Sequence, residues 1–272
     1  MNGIIAFFDI LGYKSFLKNN DAETSAQKVL DIISGTPAEL LDGYAELKND
    51  KLQAMLKTQV KHLVFSDTIV LSLSWLPKAE EKIDRYTSIM YFEHILVHLF
   101  IKMFNAGLPV RGGISEGKFF IQDYCLAGDA VNLAHELCES IDCSGLVFGK
   151  ELGASIITVN KQRHLTYYTP FKKNDTISEA PYLHCNWLFA LKRSFPKQYA
   201  LAVADPAMFV ARAFWCHNKD MPLSTDRKFE NTVKLVRRLI IQNEINEADE
   251  RQLLKPEAKL PRTKKKPTPI KR

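Results

Sequence analysis

Hydrophobic and polar positions along the chain alternate between two periods. Gly3 to Phe8 is a continuous apolar run that ends at Asp9, the signature of a strand buried on both faces and delivering a carboxylate to its end. A polar, helix-forming stretch runs from Asp21 to about Leu56, with predicted breaks near Gly35 and Pro37. Leu63 to Phe65 and Thr68 to Leu73 are apolar runs separated only by Ser66-Asp67, which predicts a hairpin with an acidic tip. From Ser88 to Phe104 the residues Ile89, Phe92, Leu96, Leu99 and Met103 keep three-and-four spacing, as an amphipathic helix on a sheet would.

A strand pattern resumes over Leu108 to Gly117, where Gly112-Gly113 implies a close backbone approach or a bulge. Asp129 to Ser140 places Val131, Ala134, Leu137 and Cys138 on one helical face. Leu146 to Phe148, Leu165 to Tyr168 and Leu183 to Ala190 are predicted strands, and Met208 to Cys216 and Asp226 to Glu250 predicted helices. This order argues for an α/β or α+β architecture, with helices covering one face of a mostly antiparallel sheet. The expected division is a main domain over 1–200, a helical extension over 201–254 and a disordered tail over 255–272, where prolines are interspersed among charges.

Charge changes the picture only once it is located. The 272 residues carry 37 basic and 31 acidic groups, a net charge of +6. Residues 255–272 hold eight basic groups against Glu257 alone, so the remainder of the chain is close to neutral at −1. A basic nucleic-acid-binding body is not indicated, and the tail lacks the interleaved aromatics that would stack on bases. A hydrophobic content of 46% excludes a disordered chain. The start lacks a basic flank and a cleavage site, and the longest apolar stretch contains Glu93, His94, His98 and Lys102, so neither a signal peptide nor a membrane span is expected. Five cysteines without a C-x-x-C pair suit reduced thiols in the cytoplasm.

Asp9 and Asp67 carry the strongest chemical signal. Taken alone, each is more simply a turn former. If the hairpin lies beside the first strand, however, the two carboxylates face each other, and oxygen ligands at close range select hard Mg²⁺ or Mn²⁺. Gly12, in the turn that follows Asp9, could aim backbone N–H groups at phosphate oxygens.

Here the sequence resembles the class III nucleotidyl cyclases. Phe8-Asp9-Ile10-Leu11-Gly12-Tyr13 is similar to the family's first metal motif, and Phe65-Ser66-Asp67-Thr68-Ile69-Val70 to its second metal hairpin. Arg111-Gly112-Gly113-Ile114 resembles a third motif, and Gly128-Asp129-Ala130-Val131-Asn132-Leu133-Ala134 a fourth, all in the family's order. The resemblance implies an α+β palm with a ferredoxin-like core and C-terminal helices, active as a homodimer with its sites at the subunit interface. It implies that Asp9, Asp67 and the Ile10 carbonyl hold two Mn²⁺ or Mg²⁺ ions and that Asn132 orients the ribose. Lys172 or Lys173 would bind phosphate, unless both are solvated loop residues. Phe8, Leu11, Gly12 and Tyr13 would line the triphosphate.

The departures bear on substrate. Where the family has an arginine four residues after the asparagine, this chain has Glu136; either another cation such as Arg111 substitutes, or Glu136 points away, or the domain is silent. Arg111 also reads as a strand residue paired with an acid. At the two base-reading positions stand Leu63 and Cys125, so the adenine pair is missing and only Cys125 fits a guanylate cyclase. His62, Asp123 and Tyr124 are polar neighbours. A compact core of this kind resembles the stand-alone pyrimidine cyclases of the Pycsar anti-phage defence, which implies UTP as substrate, cyclic UMP as product and a separate effector downstream. Cyclic CMP, a purine product and a catalytically silent domain are the alternatives.

Overall fold

The computed structural model describes residues 1–43, 59–75, 85–122, 125–156, 162–173, 176–220 and 223–253. Its frame is a seven-stranded sheet in the order β2-β3-β1-β4-β7-β9-β8. The strands are β1 (Asn2–Ile10), β2 (Val60–Phe65), β3 (Thr68–Ser74), β4 (Val110–Lys118), β7 (Leu146–Phe148), β8 (His164–Lys173) and β9 (Thr176–Cys185). Among the described residues only the β4–β7 pairing is parallel. A separate ribbon pairs β5 (Phe120–Gln122) with β6 (Cys125–Ala127). The expected α+β class, a mostly antiparallel sheet covered by helices, is what is seen.

Alternation along β1 assigns its two faces. Ile4, Ala6, Phe8 and Ile10 join the main core with Ile69, Leu71 and Leu73. Against them pack α2 (Ala22–Gly43) through Val29 and Ile33, and α3 (Arg85–Asn105) through residues from Ile89 to Phe104. Ile5 points the other way, into a second cluster with Val70, Phe119 and Ile121, and α4 (Asp129–Ser140) closes it with Ala130, Val131 and Ala134. Helices therefore cover both faces rather than one, which is why β1 reads as unbroken apolar sequence.

Gly112 and Gly113 make this double cover possible by close approach, without a bulge. A Cβ on Gly112 would meet Phe8 Cδ1 at 2.9 Å, and one on Gly113 would stand 2.3 Å from the Ala134 carbonyl oxygen. Each glycine serves one face.

Two helical predictions and one strand prediction need correction. α2 continues through Gly35 and Pro37, because burial of Val29 and Ile33 against α3 outweighs the local breakers. α3 is buried on most of its circumference, since it lies between the sheet and the later helices. The segment Leu183 to Ala190 leaves the sheet after Cys185: the Asn186 side chain accepts from the Phe189 N–H and caps α6 (Trp187–Ser194).

The chain ends in α7 (Pro196–Ala204), α8 (Pro206–Phe214) and α9 (Leu223–Leu253). α7 runs across residue 200, and Ala202, Phe209, Val210, Leu235, Val236 and Leu239 belong to the main core. Between α5 (Lys150–Ile156) and β8, residues 157–161 lie outside the described part, as does the basic tail. No helix among the described residues is long and apolar enough to cross a membrane.

Candidate active site

β1 ends at Asp9, and its two neighbours bring the remaining groups into register. Asp9 opposes Thr68 on β3 and Arg111 on β4. The β2–β3 hairpin turns in two residues, Ser66-Asp67, with Ser66 at φ 55, the positive first-position torsion of a type II′ turn. The Ile10 N–H donates to the Asp67 carbonyl oxygen at 2.9 Å, and the Leu11 N–H to the Pro109 carbonyl oxygen at 2.8 Å. The turn after β1 is thus held from both sides, and Asp67 stands beside the end of the strand that carries Asp9.

Gly12 has φ 78, a left-handed torsion that turns the chain into α1 (Tyr13–Asn19). Tyr13 is buried, and its phenol pKa is raised by desolvation and then by the negative charge of Asp67. That coupling places the phenol within electrostatic reach of the hairpin carboxylate. Ile10 and Leu11 are also buried, so backbone groups are what the turn can offer a ligand. Phe8 requires a correction as a substrate contact. Its side chain is fully buried on the opposite face of β1 from Asp9, in the main core.

Arg111 is the cation that pairs with Asp9 among the described residues. Its Nε donates to Asp9 Oδ2 at 2.7 Å, with the two side chains 15% and 23% exposed. One terminal nitrogen donates to the carbonyl oxygens of Glu139 at 2.7 Å and Ile141 at 3.3 Å, where α4 ends. A guanidinium suits this triple role because its donors diverge in one plane. Beneath it the Cys138 thiol donates to the Arg111 carbonyl oxygen, and burial pushes that thiol up to about 12, which keeps it protonated and inert.

Could these residues hold a divalent ion? The donor set is all oxygen: two carboxylates and a main-chain carbonyl. That chemistry fits Mg²⁺ or Mn²⁺, which bind few protein ligands and complete their shell with water and phosphate. Among the described residues no three His, Cys, Asp or Glu side chains gather as a metal cluster. The pair Asp9 and Asp67 is therefore the full carboxylate complement offered here, and Arg111 already engages one oxygen of it.

The other expected site residues divide. Leu63 and Leu126 are each partly buried against the second cluster, and Cys125 precedes Leu126 in the β5–β6 ribbon. The Cys125 side chain is exposed, as is His62. Asn132, Leu133 and Glu136 are exposed on the outer side of α4, away from the sheet that carries Asp9. Glu136 thus shares its outer face with Asn132, one helical turn earlier. Lys172 and Lys173 end β8 in the β8–β9 hairpin, but their side chains lie outside the described part, as do Asp123 and Tyr124 altogether.

No protein family and no curated protein matches the sequence. Solved structures with a similar chain course include a bacterial light-regulated adenylyl cyclase, at 13% identity and TM-score 0.43, covering 68% of this chain and 90% of that one. Another is the guanylate cyclase domain of RhGC from Catenaria anguillulae in complex with GTP, at 13% identity and TM-score 0.40, with 67% and 94% covered. The monomeric guanylyl cyclase domain of the RhoGC fusion protein from the aquatic fungus Blastocladiella emersonii gives 15% and 0.40, with 67% and 94% covered.

The contact sequence reasoning missed is the pairing of Arg111 with Asp9 itself. The strand pattern predicted both strands, but nothing in it specified a register that sets one opposite the other.

Proposed function

We propose that this protein is a nucleotidyl cyclase of the class III type, acting on a pyrimidine nucleoside triphosphate, with UTP favoured and cyclic UMP and diphosphate as products. The observation that supports this reading is the backbone bond from Ile10 to Asp67, which joins the β2–β3 turn to the residue that follows Asp9. In the reaction the ribose 3′-oxygen forms a bond to the α-phosphorus, the bond to the diphosphate oxygen breaks, and the hydroxyl proton passes to solvent. Divalent ions supply acidification of that hydroxyl and neutralisation of the leaving diphosphate. Asp9, Asp67 and the Ile10 carbonyl are the groups that would hold them, while the Gly12 turn presents main chain to the phosphates.

Pyrimidine preference is supported by what the base positions lack. Leu63 offers no donor or acceptor, so the pair that reads adenine is missing, and of the guanine-reading pair only Cys125 is present. UTP is preferred to CTP on the Pycsar resemblance alone. The same resemblance supplies the antiviral setting, the cytoplasmic location and the separate effector.

A homodimer fits the exposure pattern. Asn132 lies on an outer helix face with Leu133, whereas Asp9 is under the sheet side of that helix, so Asn132 would serve the site of a second copy. Phe65, 76% exposed at the hairpin tip, and Phe120 add apolar surface that such a copy would cover. Lys172 is retained as the phosphate lysine. Glu136 favours a second reading, a silent domain that binds nucleotide or a partner without turnover. Cyclic product from the unaltered protein separates them, and Asp67→Ala should then abolish that product and Mn²⁺ binding while the chain stays folded by circular dichroism. Undiminished turnover would remove Asp67 from the site.

A further inference from the structure

The loop between α8 and α9 is built against the turn that presents Asp9. Two successive residues, His217 at φ 62 and Asn218 at φ 53, adopt left-handed torsions without being glycine, a strained pair that surrounding contacts must hold. Those contacts converge on α1. Asn19 Nδ2 donates to the Asn218 carbonyl oxygen at 2.6 Å and to Asp220 Oδ2 at 3.1 Å. Asn20 Nδ2 donates to the His217 carbonyl oxygen at 2.7 Å, and the Asp220 N–H donates to Ser15 Oγ at 2.5 Å. The His217 ring lies 5.3 Å from that of Phe16, centroid to centroid.

Lys219 occupies the centre of this loop. It is 7% exposed, and its ammonium donates to two main-chain oxygens, Gly107 at 2.6 Å and Ala213 at 2.9 Å. Its stem lies beneath Gly12, where a Cβ would come within 3.4 Å of Lys219 Cδ. Burying a charged group is costly, and an apolar residue would fill the same volume more cheaply. What the ammonium adds is a tie between the end of α8 and the turn after α3, directly under the residue linking Ile10 to α1.

We infer that residues 216–220 form a clamp that positions the Asp9–Gly12 turn for its metal ions, with Lys219 as the positioning residue; this rests on the reading of Asp9 and Asp67 as ion ligands. The clamp makes the C-terminal helices a working part of the site. It also explains why the chain accepts consecutive left-handed residues at this one place. Cys216, Lys28 and Asp220 are the other ionisable groups around the loop, beside His217.

Two full-length variants test it. Lys219→Met keeps the stem under Gly12 and removes both ammonium bonds, and Ser15→Ala removes the acceptor for Asp220 from a position that leaves the core intact. Hydrogen exchange followed by mass spectrometry should show α1 amides exchanging about tenfold faster in each variant, with β7 to β9 unchanged. The Mn²⁺ dissociation constant, read by electron paramagnetic resonance, should rise by about fivefold. Unchanged α1 exchange, an increase spread evenly over all strands, or a loosened α1 with unaltered Mn²⁺ affinity would each overturn the clamp. If Lys219→Met does not fold, Ser15→Ala decides. A wild-type chain that binds no Mn²⁺ would instead remove the metal reading, and α1 exchange would still judge the clamp.

Discussion

Arg111 Nε donates to Asp9 Oδ2 across 2.7 Å, so the carboxylate at the end of β1 has a cation built opposite it in the adjoining strand. Without ions, the guanidinium gives the partly buried Asp9 carboxylate a hydrogen-bonded partner at the edge of the core. With ions, Asp9 must share its charge between the guanidinium and the metal. The same guanidinium ties the end of α4 to the sheet, so the electrostatics of the site and the seating of the helix are one interaction.

A double-mutant cycle tests that relationship. Arg111→Ala alone should destabilise by about 2 kcal/mol, and the Asp9–Arg111 coupling should be about 1–3 kcal/mol in urea denaturation at low salt. Additive single and double variants would mean that the pair contributes nothing.

Gly113→Ala should be far worse than its size suggests. The added methyl would meet backbone, the Ala134 carbonyl oxygen at 2.3 Å, which cannot rotate aside. Separation of α4 from the sheet should cost about 3 kcal/mol or more, read as a drop in Tm, whereas Gly→Ala at an unhindered site shifts stability by less than about 1 kcal/mol.

His184 sets a pH dependence. It is fully buried beside Thr169, and desolvation lowers its pKa from 6.5 to about 3. Between those values the unfolded chain takes a proton that the folded chain refuses, so stability is lost as pH falls through that window. From pH 7.5 to 5 this residue should account for about 2 kcal/mol of lost stability. His184→Gln should show a shallower slope, with His94, also lowered to about 3 by burial first and then by nearby cations, keeping a remainder.

Deleting residues 256–272 should leave turnover and Tm unchanged, because the positive charge of the tail is separable from a near-neutral body. A large loss of activity would show that the tail serves the site.

The parts of this fold legible in the sequence are those written in local pattern. The apolar run ending at Asp9 announced a strand buried on both faces, and Ser66-Asp67 between two apolar runs announced a two-residue hairpin. Gly112-Gly113 announced a close approach. What stayed hidden depends on distant partners. Pro37 reads as a stop until α3 is there to hold α2, and Leu188 reads as strand until Asn186 caps a helix. Lys219 reads as an ordinary loop lysine, since its burial arises from Gly12 and Gly107, both more than a hundred residues away in the chain.

The most direct measurement offers purified full-length protein each of the four ribonucleoside triphosphates with Mn²⁺ and identifies the products by mass spectrometry. Cyclic UMP, a cyclic pyrimidine nucleotide, should be the dominant product, lost in Asp9→Ala and Asp67→Ala. No cyclic product from any of the four would contradict the assignment of a cyclase, and dominant cyclic AMP or cyclic GMP would contradict the pyrimidine preference.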